Sequence, residues 1–214
     1  SVHNMSEDLP KASEIAKEET RNTKHFRAAL EILAYDKGST DRAVKAMHDA
    51  YKAYTDSIKG LKKNQSLDSK QTELFIKLRE AQQSVKEIAD FCSNILDEQN
   101  KPTKMSLQKV MNGISNFFTI TGDSSMALQA KKLQAEIRLA SIDRGMLKKV
   151  GDFLAKAIIS FAKIFTDAAV KIKAFAYNTK PTHMDEGYRS AIRREAGESM
   201  DAAVESVKTR FKKK

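Results

Sequence analysis

The spacing of the apolar residues is the feature that most constrains this chain, because it alternates between three and four in several long segments. Two such segments lie between residues 44 and 61 and between residues 74 and 95. Their apolar positions are Val44, Met47, Tyr51, Tyr54, Ile58 and Leu61, then Leu74, Leu78, Ala81, Val85, Ile88, Cys92 and Ile95. This pattern is typical of helices that pack through one narrow apolar stripe. We therefore expect an antiparallel helical hairpin at about residues 40–98.

The remainder of the chain also favours helices. Only 8 glycines and 3 prolines occur in 214 residues, which is few for a strand-rich fold with many turns. Breaks are predicted at Lys37–Thr40, Asn64–Ser66, Asn100–Thr103, Thr121–Ser125 and Pro181. We expect an all-α bundle of about six or seven helices in residues 10–180. A disordered leader at residues 1–9 would precede it, and a C-terminal helix with a basic tail would follow at residues 181–214.

The most apolar segment reads GDFLAKAIISFAKIF at residues 151–165. When this segment and its flanking residues are placed on a helical wheel, four lysines fall within one narrow arc: Lys149, Lys156, Lys163 and Lys171. Bulky apolar residues fill the opposite side. A cationic arc opposite apolar residues is typical of a helix that lies at a membrane interface. An apolar side this wide is also typical of a helix surrounded by several neighbours.

The aspartates favour the second interpretation. Asp152 and Asp167 stand four residues before Lys156 and Lys171, a spacing that supports surface ion pairs and reduces attraction to anionic lipid. We expect a central apolar helix at about residues 146–177 that buries Phe161 and Phe165. Either a glycine at 145 or 151 separates it from the preceding helix, or one long kinked helix contains both. Insertion of the 150–176 helix into a membrane is the alternative.

The formal net charge of +10 indicates an anionic partner, which could be phospholipid, nucleic acid or an acidic protein. Nucleic acid is not favoured, because the positive residues are spread over every predicted helix and accompany no known recognition motif. The single Cys92 allows no intrachain disulfide and fits a reducing compartment. No uninterrupted apolar run approaches the roughly 20 residues that span a bilayer. We expect a soluble protein, cytoplasmic in the cell that makes it.

Catalytic and metal-binding motifs do not stand out in the sequence. The four histidines are scattered, and His183 with Asp185 and Glu186 is better interpreted as a loop before a helix with acids in its first turn. Cys92 occupies an apolar-stripe position and is expected in the core. No catalytic residue, metal ligand or cofactor is predicted. A helical enzyme with a site assembled from distant residues remains a third alternative.

The C-terminal segment EAGESMDAAVESVKTRFKKK has acids first and bases last, which complements the dipole of a final helix. It also resembles the C-terminal translocation signals of effectors exported by the Dot/Icm type IV secretion system. The residues that carry the resemblance are Glu198, Asp201, Glu205 and Phe211. The glutamates are spaced rather than consecutive, and three lysines end the chain. The resemblance covers about 20 residues and implies a protein secreted into a host cell.

These features together predict a non-enzymatic helical interaction protein, a secreted bacterial effector that binds a host protein or an anionic membrane surface. The candidate contacts with an anionic surface are the four lysines of the apolar segment and the basic end of the chain. Their positions are Lys149, Lys156, Lys163, Lys171, Lys212, Lys213 and Lys214.

Overall fold

The computed structural model describes residues 11–61, 66–97, 99 and 101–176, and these form a bundle of helices without strands. The helices are α1 (Ala12–Ile32), α2 (Lys37–Lys59), α3 (Ser69–Asp97), α4 (Lys104–Thr121), α5 (Ser124–Leu139) and α6 (Arg144–Ala176). The predicted all-α fold is therefore confirmed. The leader at residues 1–9 and the C-terminal helix at residues 181–214 lie outside the described residues.

A glycine and a polar cap separate two helices at the predicted break Thr121–Ser125. Gly122 adopts a left-handed conformation with φ of 85° and ends α4. The next residue, Asp123, accepts a hydrogen bond from the backbone N–H of Met126 at 3.1 Å and begins α5. Glycine tolerates this backbone conformation and aspartate satisfies a free amide, so the turn follows from its sequence.

Two other boundaries differ from the prediction. Helix α2 begins at Lys37 because Asp36, just before the predicted break, accepts a hydrogen bond from Ser39 N–H at 2.9 Å. Helices α5 and α6 are separated at residues 140–143, where Asp143 accepts from Met146 N–H at 2.8 Å. Neither Gly145 nor Gly151 separates the two helices, since a capping aspartate had already provided the start of α6.

Helix α6 is the centre of the bundle, as the sequence predicts. It packs against α1, α2, α3 and α5, and aromatic rings join it to α4 as well. Phe161 and Phe165 are both 0% exposed. The expectation that these rings would be buried is confirmed.

Five aromatic rings from three helices surround the two phenylalanines of α6. The ring of Phe161 lies against those of Phe26, Phe117 and Phe118, with centroids 6.3, 4.4 and 5.6 Å away. The ring of Phe165 is met edge-on by Tyr51 and Tyr54 at 5.3 and 5.4 Å. Pairs in this range contribute about 0.5–1.5 kcal/mol beyond the burial of their area. The tyrosines of the α2 stripe therefore serve the core.

The antiparallel hairpin predicted at residues 40–98 is not formed, although both of its helices exist. Helix α2 packs chiefly on α6 and also on α1, while α3 packs on α1 and α4. Periodicity identifies an apolar stripe but not the helix that covers it. The buried apolar residues of α6 take the position on α2 that the hairpin would have assigned to α3, and α1 packs on both α2 and α3.

Helices α2 and α6 run parallel and make the most extensive contact of the bundle. Near their starts, a Cβ placed on Gly151 would lie 3.1 Å from Leu33 Cβ, just before α2. At their ends, a Cβ placed on Gly60 would lie 3.7 Å from Ala176 Cβ. This close pairing holds α6 with only one edge facing water.

Candidate functional site

The water-facing edge of α6 is formed by the lysine stripe, which we define as Lys149, Lys156, Lys163 and Lys171. All four lysines are exposed, whereas most residues between Val150 and Ile172 are buried. The sequence thus located the exposed edge of this helix correctly. A spacing of seven or eight residues places successive amines roughly 10–12 Å apart along the axis.

The two halves of the lysine stripe differ in what they contact. Lys149 pairs with Glu136 of α5, with Nζ and Oε2 2.5 Å apart, and Lys156 donates to Gln129 Oε1 at 3.1 Å. Lys163 and Lys171 lie beyond the part of α6 that α5 accompanies and have no ion-pair partner among the described residues. Lys149 is thus the one lysine of the stripe with a negatively charged partner among the described residues, and the second half contains two lysines without one.

Asp152 does not lie on this edge, which corrects the prediction of a surface pair with Lys156. The residue is only 7% exposed, and the Lys156 amine contacts Gln129 instead. Asp167 is half-buried and forms no ion pair with Lys171 within the described residues. Four-residue spacing makes such pairs feasible, but α5 and the core decide where these side chains point.

Positive charge is concentrated in the half of the bundle formed by α4, α5 and α6. Residues 101–176 contain thirteen lysines and arginines and five acids, whereas residues 11–97 contain sixteen and fourteen. Within the described residues, Lys149 and Glu136 form an ion pair in α4–α6, and six further ion pairs join residues of α1–α3. Most of the net charge of the chain is therefore an excess of basic over acidic residues in one half of the bundle.

The remaining predicted site residues lie outside the described residues. These are the basic end, Lys212, Lys213 and Lys214, and the candidate secretion signal, Glu198, Asp201, Glu205 and Phe211. Their assignments stay predictions.

A buried polar cluster between α1, α2 and α3 was not predicted from the sequence. Glu19 and Asn22 of α1 are 3% and 1% exposed, and Tyr51 of α2 is 3% exposed. Glu19 Oε2, the side-chain amide of Asn22 and the Tyr51 hydroxyl make no hydrogen bond of ordinary geometry within the described residues. The sequence does contain a signal for this burial, because positions 15, 19, 22 and 26 follow the alternating four- and three-residue spacing of an apolar stripe.

Burial raises the pKa of Glu19 from 4.5 to about 8. The nearby Tyr51 hydroxyl and the Gln82 side chain lower it in part, while the charge of Glu18 raises it further. Glu19 is therefore predominantly neutral at pH 7, because the charged form would be poorly solvated at this position. A raised carboxyl pKa also occurs in catalytic acids, but this carboxyl faces the core.

The Cys92 thiol and the His48 imidazole, two other groups that could be reactive, lie in surroundings that indicate a structural role. Cys92 is fully buried, and burial raises the pKa of its thiol to about 12, as expected for a core residue. His48 Nε2 lies 3.3 Å from the Thr23 hydroxyl on the α1–α2 surface. Within residues 11–61, 66–97 and 101–176, no three histidine, cysteine, aspartate or glutamate side chains are grouped so that they could hold a metal ion.

Comparisons with protein-family models, curated proteins and solved structures found no match. The candidate site therefore depends on geometry and charge alone. Among the helices that the structure describes, none combines the length and the apolarity needed to cross a membrane.

Proposed function

We propose that this chain is a non-enzymatic helical interaction protein whose α4–α6 half binds an anionic partner. The observation that supports the proposal is the excess of basic residues in that half, together with the exposed Lys163 and Lys171, which have no ion-pair partner among the described residues. The partner would be a host protein with an acidic face or an anionic membrane surface. Specificity would come from the rigid helical faces that present these charges.

Charge placed in this way acts on association more than on folding. Acids balance the basic residues of α1–α3, so a negative partner is attracted mainly from the α4–α6 side. Exposed charges lose their influence beyond about 8 Å at physiological ionic strength. We therefore expect binding to weaken strongly as salt increases.

A charge-reversal pair tests the proposal. The double variant K163E/K171E removes the unpaired half of the lysine stripe and changes the net charge from +10 to +6. The matched control K52E/K70E makes the same change on exposed lysines of α2 and α3 without ion-pair partners in the described part of the chain. The probes are phosphatidylserine-containing vesicles and immobilised polyglutamate, each at low and high salt.

We expect K163E/K171E to lose binding that K52E/K70E retains. Equal losses in the two variants would mean that only total charge matters, and absence of binding to both probes would refute the proposal. Affinity capture from a eukaryotic lysate with the same two variants would then identify a protein partner, if vesicles are not bound.

We further propose delivery as a secreted effector, which is supported by the resemblance of residues 195–214 to type IV translocation signals. A translocation reporter fused to the chain, with and without Glu195–Lys214, tests this part separately. Translocation that persists after the deletion would contradict delivery through this segment.

The two alternative functions have less support. Insertion of the 150–176 helix into lipid would strip Phe161 and Phe165 of the five rings around them. An enzyme with a dispersed site would need a polar group open to a substrate, whereas Glu19 lies in the core.

A further inference from the structure

The two most exposed large apolar side chains of the described residues lie at one end of the bundle. Leu139 is 86% exposed and Met105 is 69% exposed. The residues just before them are in contact, since the Lys104 amine lies 3.5 Å from the carbonyl oxygen of Arg138. Met105 in the first turn of α4 and Leu139 at the end of α5 therefore lie at the same end of the bundle.

Basic residues flank these two side chains along the chain. Lys101, Lys104, Arg138 and Arg144 are all exposed. Two acids of this end have partners, since Glu136 pairs with Lys149 and Asp143 accepts the backbone N–H of Met146. The four cations have no acidic partner within the described part of the chain.

The chain between α5 and α6 continues the same surface. Ile142 and Met146 are half-buried and pack against the core while keeping part of their surface in water. We call residues 101–105 and 138–146 the basic tip. It combines two prominent apolar side chains, two half-buried apolar residues and four exposed cations without an acidic partner in the described part of the chain.

We propose that the basic tip docks on the surface of an anionic phospholipid bilayer. Met105 and Leu139 would enter the boundary between headgroups and acyl chains, and the surrounding lysines and arginines would contact lipid phosphates. Interfacial binding of this kind depends jointly on apolar area and on attraction to anionic lipid. The inference depends on the proposed anionic partner and commits it to a membrane surface. It requires that the bundle lie along that surface, so that Lys163 and Lys171, farther along α6, face the lipid as well.

A lipid surface fits the basic tip better than an acidic protein does. Stable protein interfaces bury roughly 1,200–2,000 Å² and have an apolar centre depleted of charge. Here two apolar side chains at helix ends are interspersed with four cations. A headgroup layer accommodates this mixture, because long basic side chains reach the phosphates while apolar side chains lie deeper.

Because the sequence contains no tryptophan, a single introduced tryptophan can report contact with lipid by its fluorescence. A single tryptophan in L139W would report its surroundings by fluorescence, and I76W would serve as a control at an exposed apolar position of α3. With phosphatidylserine-containing vesicles we expect a blue shift for L139W and none for I76W, and no shift for either with pure phosphatidylcholine. Equal shifts for both, or no shift for L139W while the protein is bound, would overturn the proposal.

Binding of the full chain supplies the second measurement. M105S/L139S should raise the apparent dissociation constant for anionic vesicles about tenfold or more, because two apolar side chains that enter the lipid are lost. The matched control I76S/L128S removes two exposed apolar residues elsewhere and should bind like the unmodified chain. Both variants change exposed positions, and thermal unfolding would verify that they fold.

The outcomes separate this inference from the proposed function. Unchanged vesicle binding by M105S/L139S, together with loss in K163E/K171E, would reject the basic tip but retain the anionic partner. Binding to polyglutamate without binding to vesicles would reject the tip in favour of an acidic protein. Binding to neither probe would reject both proposals.

Discussion

Glu19 shows how a single residue can oppose the stability of the fold that contains it. Its carboxyl occupies an apolar-stripe position of α1, and burial raises its pKa from 4.5 to about 8. In the unfolded chain the carboxyl ionises near its ordinary pKa, while in the folded chain it keeps its proton over a wider range. Between these two pH values the folded state binds more protons, so its stability falls as pH rises.

The variant E19Q should remove this pH dependence. We expect the free energy of unfolding of the unmodified chain to decrease between pH 5 and pH 9 by roughly 3–5 kcal/mol, since one pKa unit corresponds to ~1.4 kcal/mol. Glutamine resembles the neutral acid and does not ionise, so the free energy of unfolding of the E19Q variant should decrease much less over the same pH range. Urea unfolding followed by circular dichroism at both pH values measures the difference. The exposed Glu14→Gln on the same helix is the control, and a similar slope in all three proteins would contradict the prediction.

At the scale of one element, α6 depends on a close approach to the end of α1. A Cβ on Gly151 would lie 3.1 Å from Leu33 Cβ and 3.3 Å from the Leu33 carbonyl oxygen. The backbone oxygen cannot move as freely as a flexible side chain. Gly151 is therefore required by packing, whereas Gly145 in the first turn of the same helix has only the Asp143 side chain nearby, at 3.5 Å.

Alanine substitutions at these two glycines should have opposite effects. Alanine favours a helix over glycine by up to about 1 kcal/mol, so G145A should raise the thermal midpoint slightly. In G151A the overpacking cost of about 1–3 kcal/mol should exceed that gain. Thermal unfolding of the two variants beside the unmodified chain measures both signs. A midpoint that rises in G151A would show that Leu33 yields easily and that the contact is not tight.

The elements of this bundle could be predicted from the sequence, but their partners could not. Alternating spacing identified the stripes of α2 and α3, yet Tyr51 and Tyr54 point to Phe165 of α6 rather than to α3. A stripe records which face is apolar and carries no information about which of several apolar faces will cover it. The choice depends on volumes and shapes that only the assembled core defines.

The candidate site was predictable where it depended on one helix and not where it depended on several. The lysine stripe follows from helical geometry alone and is exposed as expected. The basic tip combines the start of α4 with the end of α5 and the start of α6, so no local sequence pattern could reveal it. Asp152 was misplaced for the same reason, because its burial depends on neighbouring helices.

The whole molecule is organised around α6, which contacts helices throughout the bundle. Docking through the basic tip leaves this core intact, whereas insertion of the 150–176 helix would dismantle it. The ends of α2 and α6 offer a way to distinguish these two modes. A Cβ on Gly60 would lie 3.7 Å from Ala176 Cβ, within the range that a disulfide requires.

The double variant G60C/A176C should form this disulfide under oxidising conditions and fasten α6 to α2. Cys92 should not compete, because it is buried and its pKa is raised to about 12. If the chain docks through the basic tip, the oxidised and reduced variants should bind anionic vesicles equally, because neither Met105 nor Leu139 has to move away from the core. If α6 must leave the bundle to enter lipid, oxidation should abolish the binding that survives high salt, and dithiothreitol should restore it. Vesicle flotation of both forms, with non-reducing electrophoresis to verify the bond, measures the outcome, and a loss on oxidation would contradict docking.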